Sequence, residues 1–362
     1  MRLGARLAAL ALALAGWVCA GVAPAAEVDR ARLSEAAPAA HLSDYRLFED
    51  TGGRRPSRGV IAYAVNTPLF TDYAAKARYL YLPPGASIPY ARDGVLDLPV
   101  GAVLIKTFAY PADFRRPARD LRLVETRLLI RQTDGWRAAS YVWNADQTDA
   151  LLRRAGARFL VRFVDVAGQP RTLEYAAPNL NQCKQCHGQN GVLGPIGLRV
   201  RNLNGDIAPG GRRENQLTRL ARLGLLTGAP PAAEAPRTPR WDDTALPIPS
   251  RARAYLDANC GHCHSRGGLA SNSGLYLTLE ETDPHVLGVG KRPVAAGRGS
   301  GDLEVSIDPG KPDRSILLYR MSSVEPGVMM PQLGRSLPHA EGIALIRTWI
   351  AGMAPEFTSS RP

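Results

Sequence analysis

Two five-residue strings restrict this chain more than any other feature: Cys183-Lys184-Gln185-Cys186-His187 and Cys260-Gly261-His262-Cys263-His264. Each is a C-x-x-C-H, the pattern at which a c-type haem is attached covalently. Cysteines three positions apart can each close a thioether to one haem edge, and the adjacent histidine then lies under the iron as an axial ligand. The chain has five cysteines, and all but Cys19 fall in these strings. A bare C-x-x-C would suit a disulfide, thiol exchange or, in pairs, zinc. The histidine that follows both pairs favours haem. The sequence therefore predicts two covalently bound haem c groups on Cys183, Cys186, Cys260 and Cys263, with His187 and His264 as axial ligands of the irons.

The N-terminus reads as an export signal over residues 1–26. Arg2 and Arg6 form a basic start, Leu7 to Ala20 an apolar core, and Ala23-Pro24-Ala25 a small-residue cleavage site. Cleavage removes Cys19 and leaves a mature, periplasmic chain whose only thiols are in the motifs. No later segment is apolar and long enough to span a bilayer, so the mature form is expected not to be an integral membrane protein. The formal net charge is +12. Its arginines are spread along the chain, which suits a solvated surface or a docking face for an acidic redox partner. A nucleic-acid partner is excluded for an exported haem protein.

The pattern predicts a multidomain fold: a β-rich haem-binding domain over 27–228, a Pro-rich linker or strap over 229–249, and an all-α cytochrome c-like domain over 250–362. Strands are expected at 61–65, 100–108, 121–131, 138–143, 159–164 and 172–175, separated by turn residues such as Asp134-Gly135. A short helix is expected near 146–155 and another over 215–226. In the last domain, Ser250 is a candidate cap for a helix over 251–259. Pro312 can open a helix through 315–321, and a final helix over 339–353 carries Ile343, Ile346, Trp349 and Ile350 on one face.

The sixth iron ligands differ between the motifs. Met330, beside Pro331 in a loop bounded by Gly327, is the first candidate for the second haem, with Met329 next. The alternative for either methionine is plain core filling. There is no methionine between Met1 and Met321, and His41 is the only histidine before His187. The first haem is therefore left with several options. These are His41, a lysine or tyrosine, a loan of Met321, His285 or His339 from the other domain, or an open position. His262 is expected to point away from the iron.

Over nearly all of its mature length the chain resembles a family of exported dihaem c-type cytochromes. The matching stretches are Asn66 to Tyr73, Pro99 to Phe108, Glu125 to Ile130, Tyr141 to Ala150, Asn181 to His187 and Met329 to Arg335. The resemblance implies two covalent haems and an exported location, and supplies no substrate. The β-rich part is also similar, over a shorter stretch, to β-sheet monohaem cytochromes that act on hydroxylamine or nitrogen oxides. In those a lysine cross-links to the haem. Lys106 is the residue to compare, and its plainer reading is a surface lysine on a strand. Two functions follow as expectations. One is a periplasmic carrier that transfers electrons between redox partners. The other is a haem enzyme that acts on a peroxide or nitrogen-oxide type of molecule at the first haem, with the second as its electron relay. No catalytic residue is assigned.

Overall fold

The computed structural model describes residues 27–354, apart from 51, 53, 54, 209, 210 and 296. The expected signal segment 1–26 lies outside the described residues. The strands are β1 (Val60–Ala62), β2 (Ala75–Tyr81), β3 (Ile88–Pro89), β4 (Val103–Pro111), β5 (Leu121–Gln132), β6 (Gly135–Trp143), β7 (Ala150–Leu152), β8 (Ala157–Val164) and β9 (Pro170–Ala177). Strands β1, β2, β4, β5, β6 and β7 pair in that order into one antiparallel sheet. Strands adjacent in this sheet also follow one another in sequence; β5 and β6 are joined by the tight turn Thr133-Asp134, whereas a longer segment joins β1 to β2 and another, carrying β3, joins β2 to β4. β8 and β9 form a separate hairpin.

Alternation along the strands gives the sheet two unlike faces. On one, Tyr79, Tyr81, Val103, Ile105, Leu128, Ile130 and Tyr141 are covered by the segment from Val28 to Leu47. The other face is divided. At one end Leu80, Leu104 and Leu129 pack under Leu198, Leu203, Leu217 and Leu226. At the opposite end Phe108 and Tyr110 pack under Val161, Phe163 and Tyr175 of the hairpin. Between these apolar ends runs a strip of Lys76, Arg78, Lys106, Glu125 and Arg127, set by the same alternation.

The helices are α1 (Arg30–Ser34), α2 (Leu180–His187), α3 (Val200–Leu203), α4 (Gln216–Arg222), α5 (Ile248–Leu256), α6 (Ile316–Ser322) and α7 (Ala340–Ala351). α5 is continued by a π-helical turn over Asp257–Gly261. α7 buries Leu345, Ile346, Trp349 and Ile350 against Tyr255, Leu256, Leu318 and Met321. Gly342 is what lets α7 approach, because a Cβ there would stand 2.3 Å from the Tyr255 hydroxyl.

Two expectations are corrected. The helix near 146–155 is a turn followed by β7, since Asn144 closes the loop with its side chain on the amide of Thr148 (2.9 Å). The Pro-rich segment, expected as a linker or a strap, lies as a strap. Asn204 donates to the carbonyls of Ala232 (2.8 Å) and Ala235 (3.0 Å), and Ala235 is buried. The larger correction concerns fold class. The described residues are β-rich, with 25% strand and 22% helix, and among them no all-α cytochrome c-like domain follows the strap. Little more than a quarter of residues 248–354 is α-helical. The rest is turns and loops with bridges such as Val289 to Ile307. Glycines and prolines through 265–312 break helical periodicity, so the apolar core there is closed largely by loops.

The parts on either side of the strap are joined by a polar seam. The Phe70 amide donates to Asn259 (2.7 Å), and Asp72 accepts from the amides of Ser336 (2.7 Å) and Leu337 (2.8 Å). Arg201 makes a bidentate pair with Asp257 (2.8 and 3.0 Å) and reaches Glu280 (3.0 Å). Asp72 and Tyr73 both have positive φ, 44° and 60°. That left-handed pair turns Asp72 toward the loop and Tyr73 toward Glu341, to which its hydroxyl donates (2.9 Å).

Candidate functional site

The first motif lies on α2. Asn179 caps this helix by accepting from the Gln182 amide (2.9 Å), and the Gln182 side chain accepts from the Asn179 amide (3.0 Å). Helical geometry then puts Cys183 and Cys186 on one face, with His187 beside them. The chain turns immediately into a small hairpin that pairs 188–189 with 192–193. This closes Gly194 onto His187, and the Nδ1 of the imidazole meets the Gly194 carbonyl at 3.0 Å. The second motif continues the π-helical turn, with the His264 amide on the Cys260 carbonyl (2.8 Å). His264 Nδ1 meets the Leu275 carbonyl at 3.3 Å. A carbonyl accepts, so each Nδ1 carries the proton and each Nε2 keeps its lone pair. Burial pushes both imidazoles down to about 4, so both are neutral near pH 7.

The motifs face each other across the seam. Cys186 Sγ, Cys263 Sγ and a nitrogen of His262 all lie within 4.8 Å of one another. The Gln189 side chain donates to the His262 carbonyl (2.8 Å), and the Asn190 amide to the Gly267 carbonyl (2.9 Å). As free thiols the two cysteines share a hydrogen bond, which lowers Cys186 and raises Cys263. Burial pushes Cys260 up to about 12. His262 Nδ1 is buried without a partner.

Beside the motifs lies a cavity of about 280 Å³, open in part to solvent and lined by both His187 and His262. Its floor is the charged strip of the sheet, where Arg78, Lys106 and Arg127 stand in register. Lys106 is thus no surface lysine. Burial, then Arg78, Lys76 and Arg127, hold its ammonium well below the usual range. Burial works against the Arg127 charge as well, but the guanidinium is held protonated by a bidentate pair with Glu125 (2.7 and 2.7 Å). Glu125 is fully buried and also accepts from Ser140 and Tyr175, each at 2.5 Å. Burial pushes Tyr63, on the cavity wall, up to about 12.

The other predicted residues sort cleanly. Met329 and Met330 are half-buried in a loop that Arg335 ties down through the carbonyls of Met330 (2.9 Å) and Ser323 (2.8 Å). Arg335 lies near Cys260, and Arg320 near His264, so this loop flanks the second motif. His41 belongs to the segment covering the opposite face of the sheet and bonds Asp149 (3.0 Å), so it does not reach the cavity. Met321 is buried in the core around α7, and His285 is exposed. His339 stacks on Phe70 at 4.1 Å with Nδ1 on the Tyr255 hydroxyl (3.0 Å). Sequence reasoning missed Tyr63, Arg78, Glu125 and Arg127. For Arg78, Glu125 and Arg127 the signal was charge at positions where the alternation of β2 and β5 calls for apolar residues, and Tyr63, just after β1, gave none. Compared with family models, curated proteins and solved structures, the chain matches none.

Proposed function

We propose that the chain is an exported c-type cytochrome that carries two covalent haems and transfers electrons between them and a redox protein partner. The observation that carries this reading is shared by both motifs: Nδ1 is held by a backbone carbonyl and Nε2 is left free. That is the second-sphere arrangement an iron-ligating histidine needs, because it fixes both tautomer and ring direction. Cys183 and Cys186 would hold one haem and Cys260 and Cys263 the other, with His187 and His264 as axial ligands and Met330 as the sixth ligand of the second. A bound haem supplies a one-electron iron couple. The approach of Cys186 to Cys263 favours transfer between the two groups, since it sets their attachment points side by side. The seam and the strap keep those points in fixed relation.

A second reading is favoured by the cavity beside His187. Among the described residues, the motif's own His187 is the only methionine or histidine of the first part that lines it, together with Tyr63 and Lys106. An open first haem there would act on a small molecule of peroxide or nitrogen-oxide type, with the second haem as relay. A metal ion on Cys186, His262 and Cys263 is a weaker reading. It leaves Cys183, Cys260 and both carbonyl-held histidines without a role.

Haem counting on the exported protein tests all three. Two haems per chain are expected, and Cys183→Ser with Cys186→Ser should remove one of them. Zinc without haem would overturn the proposal. Ferric electron paramagnetic resonance, with carbon monoxide added to the reduced protein, then separates carrier from enzyme. Two low-spin irons that refuse carbon monoxide support the carrier, and one high-spin iron that binds it supports the enzyme. Met330→Ala should open the second haem, and an unchanged spectrum would move the ligand assignment to Met329.

A further inference from the structure

Electron transfer leaves the cations on the cavity floor unexplained. Arg78, Lys106 and Arg127 are directly opposite one another on β2, β4 and β5. Neighbouring strands lie about 4.8 Å apart, so three cationic side chains leave the sheet side by side. Like charges directly opposite each other destabilise a sheet, and buried charges without partners cost more still. Arg127 is matched by Glu125. Among the described residues, no carboxylate lies within 4.0 Å of Arg78 or Lys106. Glu125, the carboxylate that acts on Lys106, is already filled by Arg127, Ser140 and Tyr175, and Asp257 on the cavity wall is taken by Arg201. The apolar ends of the same face are well packed, so the row sits in a place where aliphatic side chains would fit.

We propose that the Arg78–Lys106–Arg127 row is an anion site that takes a carboxylate or small oxyanion in the cavity beside His187. All three side chains line that cavity, and the His187 ring belongs to the same wall. The missing counter-charge is therefore expected to arrive with a ligand. An ammonium and a guanidinium side by side suit the oxygens of one planar anion, because guanidinium donors fork and an ammonium acts as a point charge. Two sources share this chemistry: a propionate of the first haem, or a free oxyanion bound at its open face. Only the link to a haem rests on the dihaem reading, because the row itself is made of this chain's side chains.

The test uses the exported protein as purified, with its haem content counted separately, so that absence of haem and absence of an anion site give different results. Melting temperature is followed against sodium formate and sodium nitrite at ionic strength held constant with sodium chloride. A site bound only in the folded state raises it saturably. Lys106→Met and Arg78→Met should each weaken the apparent affinity about tenfold or more. Lys106→Arg should restore much of it, and the exposed Arg122→Gln should leave it alone. If a free oxyanion is the ligand, both methionine variants should melt higher than the parent without added anion, since each removes a half-buried cation with no carboxylate within 4.0 Å among the described residues; if a propionate is the ligand, both should melt lower. A saturable rise that these variants lose identifies a free oxyanion. A flat response in the parent, with one haem lost or shifted in potential in the same variants, identifies a propionate. A flat response with haem content and potentials unchanged in Lys106→Met and Arg78→Met overturns the proposal.

Discussion

Protonating His339 would place a charge among Phe70, Tyr73, Trp241 and Tyr255, whose rings surround it at 4.1 to 5.8 Å. Burial, opposed by Glu341, brings this imidazole to about 4, below the 6.5 of an unfolded chain. Between those values the unfolded state binds more protons, so stability is lost as pH falls from 6.5 toward 4. At pH 5 the loss is about 2 kcal/mol. His339→Phe keeps the stacking and removes the proton site, so its melting temperature should fall less than the parent's between pH 7.5 and pH 5. Equal falls would show that other groups carry the acid sensitivity. At this scale the sequence was uneven. The motif cysteines and histidines were legible because covalent chemistry fixes their spacing. Lys106 was legible only as a position, since whether a strand lysine faces water or a cavity depends on what covers that face. Arg78 and Arg127 were invisible for the same reason.

Elements were easier to read than their partners. β4, β5, β6, β8 and β9 came within a few residues of expectation because their alternation is strong, and α7 because its apolar stripe is continuous. β2 was missed, since Lys76 and Arg78 occupy its buried face and hide the period. The loop that carries Met330 shows why location matters more than composition. It is held from across the seam by Asp72, whose carboxylate accepts from the amides of Ser336 and Leu337. Removing that acceptor leaves two amides without a partner, so Asp72→Ala should cost about 2–4 kcal/mol. Asp72→Asn keeps one acceptor and tolerates the left-handed φ, and should cost about 1 kcal/mol. Urea titration of both variants checks the order, and equal costs would show that the bonds to the loop contribute little.

At the scale of the molecule, the interlocking of the segments on either side of the strap was not legible in the sequence, because the contacts that join them are single polar residues far apart in sequence. Arg201 is the strongest of these, 9% exposed and paired with Asp257 and Glu280. Arg201→Met leaves the half-buried Asp257 with the Leu279 amide but without its guanidinium, a change worth up to about 3–5 kcal/mol in comparable settings. Unfolding of the parent should be one transition by tryptophan emission and by far-ultraviolet dichroism. In Arg201→Met the two probes should separate, and coincident curves at unchanged stability would dismiss the seam as the source of cooperativity. The meeting of Cys186 with Cys263 also has a bearing on biogenesis. The four thiols are half-buried once the seam has closed. A ligase that adds a porphyrin to each pair must therefore work on an unclosed chain. In an oxidising compartment, a chain that closes first holds two thiols poised to cross-link to each other. On the dihaem reading, the order of maturation is written into the fold: load first, then dock.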